Sequence, residues 1–391
     1  MVAKEILRVL YAPHKVFKDI IQKPGYVGPF ILLIIFVLAQ VGSSYVVASQ
    51  SYIETTAPQT VPLSEQGDIW TENAALWQAN AGVTVSNNTS DYINSTYSTT
   101  SIEFTASNTS NVWMELNNLD GSVNCGVDGF KNVSFRVKLL TPDVKPENVS
   151  LYLYSLSGSN FYYDLTSEFS NSAVNVWNNI TRTIGVGSEG WVSSGATTWE
   201  NITGLKLDFT WSSSSNVDLR IDGLFFKGDY EGLLEIYGIS YLANSALNGF
   251  APFLFEWLLL TGLVYLIIKG LKGNVVWKPL MVAVGFALVI LVIQVLILAV
   301  VYTALPDLYY PLEVLAGPPG ELQVAYQVIL DAIASVTLVS TIIQVAIYVW
   351  TVTLGTFIVR AITEFGWGKS LLVSGGGLLF TVIILSLLLG I

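Results

Sequence analysis

The chain is poor in the residues on which much protein chemistry is built. Among 391 residues there is one cysteine, Cys125, one histidine, His14, and three methionines. A lone cysteine excludes an internal disulfide. A lone histidine excludes zinc sites built on several imidazoles and argues against a Ser-His-Asp triad. Charge is scarce as well, at 12% Asp, Glu, Lys and Arg. With a mean hydropathy of +0.55, that composition is too apolar for a soluble protein of this length and calls for membrane spans. Basic residues are rarest in the middle. From Glu54 to Glu235 there are 21 acidic and 8 basic side chains, a local balance of −13. Phosphate recognition needs a basic face, so no nucleic acid is expected as a partner.

What the middle does contain is Asn-x-Ser/Thr sequons, at Asn87, Asn88, Asn94, Asn108, Asn132, Asn148, Asn179 and Asn201. None lies outside the stretch from Tyr52 to Asn248. Such acceptors are used on the exported side of a membrane, so N-linked glycans and an extracellular domain over residues 50–248 are expected.

Apolar runs flank this insert. The predicted spans cover 29–48, 251–268, 279–303, 328–359 and 371–391, each long enough to cross a bilayer core. Val46-Val47-Ala48 resembles a signal-cleavage site, but the basic region ahead of the first span is long for a signal peptide. Residues 1–28 form a basic, helix-periodic segment broken by Pro13, suited either to the inner membrane surface or to a plain cytosolic lead-in. Lys269, Lys272 and Lys278 separate spans two and three, and Arg360 and Lys369 separate four and five. The loop between three and four carries Asp307, Glu313 and Glu321 with no Lys or Arg. The positive-inside rule then gives a cell-membrane protein with a cytoplasmic N-terminus, an extracellular insert and an extracellular C-terminus.

Within the insert, apolar residues alternate with polar ones at a period of two. Val133-Phe135-Val137-Leu139, Val149-Leu151-Leu153, Leu205-Leu207-Phe209-Trp211 and Val217-Leu219-Ile221 are the clearest runs. Turn-rich breaks separate them, and no helix-period segment appears between Ile69 and Gly228. The fold class is therefore an α-helical membrane bundle of five transmembrane helices carrying an all-β extracellular sandwich, with its core at 68–229.

Two resemblances refine this. Trp177-Asn178-Asn179-Ile180, Trp191, Trp199-Glu200-Asn201-Ile202-Thr203-Gly204-Leu205 and Leu219-Arg220-Ile221-Asp222-Gly223-Leu224-Phe225-Phe226 resemble the late strands of galactose-binding and carbohydrate-binding-module jelly rolls. That likeness implies a jelly roll and, as in many such folds, a structural calcium at Asp222 with Asp68 or Glu65 as further ligands. An acid opening an Asp-Gly turn explains Asp222 without a metal. The opening Arg8-Val9-Leu10-Tyr11-Ala12-Pro13-His14-Lys15-Val16-Phe17-Lys18-Asp19-Ile20 and the loop Lys269-Gly270-Leu271-Lys272-Gly273 are similar to the five-span YIP (Ypt-interacting protein) family. An insert of nearly two hundred residues departs from that family's compact form.

The candidate ligand-binding residues are Trp191, Tyr152, Tyr154, Tyr162 and Tyr163, because ring faces stack on pyranoses. The same rings also suit an ordinary sheet surface, while Trp177, Trp199 and Trp211 suit the core. Within apolar runs, Glu256, Asp331 and Gln344 are the polar residues that a bilayer would make costly. No catalytic residues are expected, because no spacing marks an acid/base pair. Three functions fit: a non-enzymatic surface glycoprotein binding glycans or neighbouring surface-layer or membrane proteins, a scaffold or accessory subunit of a membrane complex, and an ion-coupled transporter. Its Ser-, Thr-, Asn- and Tyr-rich composition resembles that of archaeal surface proteins.

Overall fold

The computed structural model describes residues 2–59, 68–93, 99–119, 121–155, 158–316 and 319–389. They group into two compact units. A helical unit comprises 1–51, 232–308 and 330–391, and a β unit comprises 52–231 together with 309–329.

In the helical unit, α1 (Val2–Tyr11) and α2 (Pro13–Gln22) are separated where expected. Pro13 lacks an N–H and starts the second helix. These two helices do more than lie on a surface. Val9, Val16, Phe17 and Ile20 are buried in the helical core. Then come α3 (Val27–Ala48) and, after the insert, α5 (Leu233–Gly270), α6 (Trp277–Ala287), α7 (Val289–Tyr302), α9 (Pro319–Ile362) and α10 (Trp367–Leu389). Five helical stretches, with α6 and α7 counted as one, are long and apolar enough to cross a membrane. Only 11% of the fourth stretch's most apolar window is buried. Its exposed side chains include Leu338, Ile342, Val345 and Val349. A helix apolar all round suits lipid on its outer side. Close approaches fix the packing. A Cβ at Gly285 would stand 2.7 Å from Pro29 and from Trp257, and one at Gly377 2.7 Å from Val264. Of the triplet Gly375-Gly376-Gly377, only the last needs to be glycine for close packing.

The helix α5 begins at Leu233, inside the stretch that the sequence assigns to the extracellular domain. Its first turns mix Glu235, Tyr237, Ser240 and Asn244 with apolar residues, and Gly238 at φ 55° interrupts them. No continuous apolar run marks this start.

The β unit contains β1 (Ser51–Ala57), β2 (Trp77–Ala79), β3 (Val83–Asn88), β4 (Ser101–Leu116), β5 (Asn132–Thr141), β6 (Asn148–Tyr154), β7 (Asn160–Asp164), β8 (Asn178–Thr183), β9 (Val192–Ser194), β10 (Gly204–Gly232) and β11 (Leu308–Tyr310). Two short helices, α4 (Thr166–Asn171) and α8 (Leu312–Ala316), accompany them. At six residues, α4 is too short to show a helical period in the sequence. The strands form a sandwich sewn together by two long members. Along Leu205–Thr210, β10 pairs with β4 on one side and β6 on the other. After register shifts between Thr210 and Val217, it pairs with the first half of β4 and with β5. The first sheet is thus β2-β4-β10-β6-β7-β9 and the second is β3-β4-β10-β5-β8. The alternating residues face inward as expected. Met114, Leu151, Leu207 and Phe209 from the first sheet meet Phe104, Phe135, Val137 and Leu219 from the second in one core. Each such buried side chain contributes about 1.5–3 kcal/mol.

One alternation does not hold. On β5, Ser134 and Arg136 are buried along with their apolar neighbours. The segment 309–329 belongs to the β unit and reaches Arg136, while Ser134 meets Asn179 and Thr181 on β8. Arg136 lies 2.6 Å from Glu321 and 3.8 Å from Glu313. Lys227 pairs with Glu313 and, at 3.5 Å, with Glu54. Tyr309 stacks on Tyr52. Burial raises Glu54 above its ordinary value. At Glu313 the same burial effect is outweighed by Lys227 and Arg136, so its carboxyl is held below the usual range.

Candidate functional site

The outward face of the first sheet carries a row of rings and charges. Reading across neighbouring strands, Gln78, Glu115, Lys206, Tyr152 and Tyr162 stand opposite one another. The next row is Trp113, Asp208, Ser150 and Asp164, and Tyr154 lies on the other side, opposite Asn160. Strand alternation fixes this placement. These positions are out of phase with Leu151, Leu153, Leu205 and Leu207, which point into the core. Tyr152 and Tyr162 form a cross-strand pair with ring centroids 5.3 Å apart. The Lys206 ammonium sits 5.1 Å from the Trp113 ring centre and 5.4 Å from that of Tyr152. Asp208, 3.2 Å from Lys206, offsets its charge. Burial, followed by the nearby Glu115 carboxylate, raises the Tyr154 hydroxyl well above its ordinary range, so it stays a donor. The rings are half-buried.

Three of the five sequence candidates, Tyr152, Tyr154 and Tyr162, are therefore gathered on one face. The other two lie elsewhere. Tyr163 has the opposite phase on β7, opposite Leu151, and packs against the core. Trp191 tilts against Tyr163 at 5.1 Å, meets Trp199 edge-on at 5.4 Å, and donates its indole N–H to the Thr183 carbonyl. Sequence reasoning missed Trp113, Glu115, Lys206 and Asp208. The polar positions alternating with Val112, Met114 and Leu116, and with Leu205 and Leu207, held that signal. Trp211 is buried, and Trp199 stacks on Phe161 against the core.

The sequons divide unevenly. Strands of the second sheet carry Asn87, Asn88, Asn132 and Asn179, and Asn108 lies in the bent middle of β4. The aromatic face has Asn148 at one end, and Asn201 precedes β10. Asn94 lies outside the described residues.

Asp68 and Asp222, expected as calcium ligands, do converge. Both are fully buried, and each accepts a hydrogen bond from the Gly223 N–H at 2.7 Å. The Thr71 N–H and hydroxyl also donate to Asp68, and the Ile93 N–H donates to Asp222. Gly223 has φ +63°, and a Cβ there would meet Arg136, so glycine alone fits. Burial pushes Asp68 up to about 6 against these hydrogen bonds. Glu65 lies outside the described residues, and among the described residues no three metal-ligating side chains cluster. Two carboxylates already accepting N–H donors, plus one hydroxyl, fall short of the six to eight oxygens calcium takes. The described residues do not fit a calcium shell.

In the helical unit, Glu256 lines a cavity and Gln344 accepts a hydrogen bond from Gln294 there. Asp331 is exposed on α9 and is not part of that lining.

With this geometry in hand, comparison with solved structures finds likenesses over part of the chain. The resemblance is to carbohydrate-binding β-sandwiches. A family 11 carbohydrate-binding module from Clostridium thermocellum, solved with a β-1,3-1,4-mixed-linked tetrasaccharide, matches at 14% identity. That match covers 40% of this chain and 91% of the module, with a TM-score of 0.27. A β-1,2-glucanase from Parabacteroides distasonis matches at 12% identity over 41% of this chain and 24% of the enzyme, with a TM-score of 0.31. No protein-family model and no curated protein matches the chain.

Proposed function

We propose that this chain is a non-enzymatic membrane protein whose β-sandwich binds neutral glycans on the outward face of its first sheet. The carrying observation is the row Glu115, Lys206, Tyr152 and Tyr162, flanked by Trp113 and Asp208. Ring faces bury the C–H surface of a pyranose, while carboxylate, ammonium and phenol groups at its rim hydrogen-bond to hydroxyls. Because Asp208 neutralises Lys206 and the insert is acidic, an uncharged sugar suits the face better than a sulfated or uronic one. The apolar helices supply the anchor, with the N-terminus cytoplasmic and the sandwich outside, as lysine placement and sequons favour. Glycans on the second sheet would leave the aromatic face open. The structural likeness to glycan-binding modules is compatible with this reading but does not carry it.

The test is binding of full-length protein in lipid nanodiscs to an array of neutral oligosaccharides. Saturable binding that Tyr152→Ala and Tyr162→Ala each weaken at least tenfold supports the proposal. Absence of binding, or binding indifferent to both changes, overturns it and favours a scaffold role, for which co-purifying partners in fixed ratio would then be sought.

A further inference from the structure

Inside the helical unit, α3, α5, α7, α9 and α10 surround a cavity of about 340 Å³. That volume falls within the range of small-molecule sites. Its lining is chemically uneven. Among the described residues, Glu256 is the only carboxylate on it, and no Lys or Arg lines it. A carboxylate within an apolar span is costly without a counter-charge, and such residues mark functional sites. Four aromatic side chains share the cavity wall: Phe36, Phe253, Tyr302 and Tyr348. Phe36 and Phe253 pack with ring centroids 5.0 Å apart. Ring faces attract cations, and organic ammonium groups held by aromatic cages are the common case. Gln294 donates its amide N–H to Gln344 across the cavity, fixing two further polar groups there. Gln40, Ser43, Thr381 and Ser386 add polar groups at the wall, and leucines, valines and Pro252 complete it.

We propose that this cavity binds a small organic ammonium ion, with its charge against Glu256 and its alkyl body against the rings. A bare metal ion would want a shell of oxygens, whereas most of this wall is ring and aliphatic carbon. A neutral lipid chain would leave the carboxylate uncompensated. The inference is independent of glycan binding by the β unit.

Full-length protein in phosphatidylcholine nanodiscs, titrated with hexyltrimethylammonium and read by calorimetry against empty nanodiscs, tests it. Saturable binding near one per chain is expected, with none for hexanol. Glu256→Gln should weaken it at least tenfold. Leu298→Trp, which fills the cavity and leaves the charge in place, should abolish it while the protein remains monodisperse. Unchanged affinity in the Leu298→Trp protein overturns the proposal even if the Glu256 variant fails to fold. Equal binding of hexanol, or saturable binding of sodium alone with none of the ammonium, overturns it as well.

Discussion

Arg136 and Glu321, 185 residues apart in sequence, meet at 2.6 Å with the guanidinium almost wholly buried. Asn179 donates to the same carboxylate at 3.2 Å. This contact holds the 309–329 segment on the second sheet, so the β unit is completed by residues far beyond the insert. Removing one partner of a buried pair leaves the other charged and desolvated. Glu321 keeps some solvent contact, and Glu313 is still 3.8 Å from Arg136. Glu321→Ala should therefore destabilise the β unit by about 1–3 kcal/mol, below the full penalty for a buried pair. Denaturant titration of the full-length protein measures this. Arg136→Met combined with Glu321→Ala should recover part of the loss.

A second prediction concerns acid. The ordinary value of an aspartate such as Asp68 is 3.8, and burial lifts it to about 6 in the fold. A raised folded value means the folded state holds the proton more tightly. Its contribution is complete below about pH 3.8 and is lost as pH rises through about 6, a change on the order of 2–3 kcal/mol. Neighbouring carboxyls held low, such as Asp91 and Glu313, shift stability in the opposite direction. The difference between wild type and Asp68→Asn isolates the Asp68 share. That difference should move in the variant's favour between pH 4 and 7. A flat difference would refute the raised value at Asp68.

On the aromatic face, Tyr163→Phe and Trp191→Phe should leave glycan affinity within twofold, because both rings pack toward the core. Trp113→Ala should lower it about tenfold, comparable to loss of one stacked ring at about 1.4 kcal/mol. Glycan-array titration of the variants checks the assignment of faces.

For the helical unit, Gln294→Leu should destabilise the bundle by about 1 kcal/mol, since Gln344 loses its partner in an apolar setting. The double change to Leu at both positions should recover most of that loss. Thermal unfolding in detergent reads the difference.

Much of this architecture was legible from local pattern. Val149-Leu151-Leu153 alternates because one face of β6 is core, and five apolar runs stand out by their length and hydropathy alone. What escaped the sequence depends on contacts distant along the chain. Arg136 is buried opposite Glu313 on α8 and Glu321 in the first turn of α9, far along the chain, and no local spacing reports that. The pattern of β10 breaks at Ser212–Ser215, where the strand passes from one sheet to the other, so it read as two strands. Tyr162 and Tyr163 are adjacent letters on opposite faces, and only the pairing of Tyr162 with Tyr152 shows which one looks outward.

The central strand also sets a timetable for synthesis. β4, β5 and β6 each pair along β10, which follows them in the chain, with Leu116 meeting Leu205 and Val133 meeting Phe226. A ribosome that has released β6 but not β10 has released several strands that lack their common neighbour. Their hydrogen-bonding edges and apolar faces stay open until the last third of the insert emerges. The sequons at Asn87, Asn88, Asn108, Asn132 and Asn148 all precede β10 and so emerge before the strand that completes both sheets.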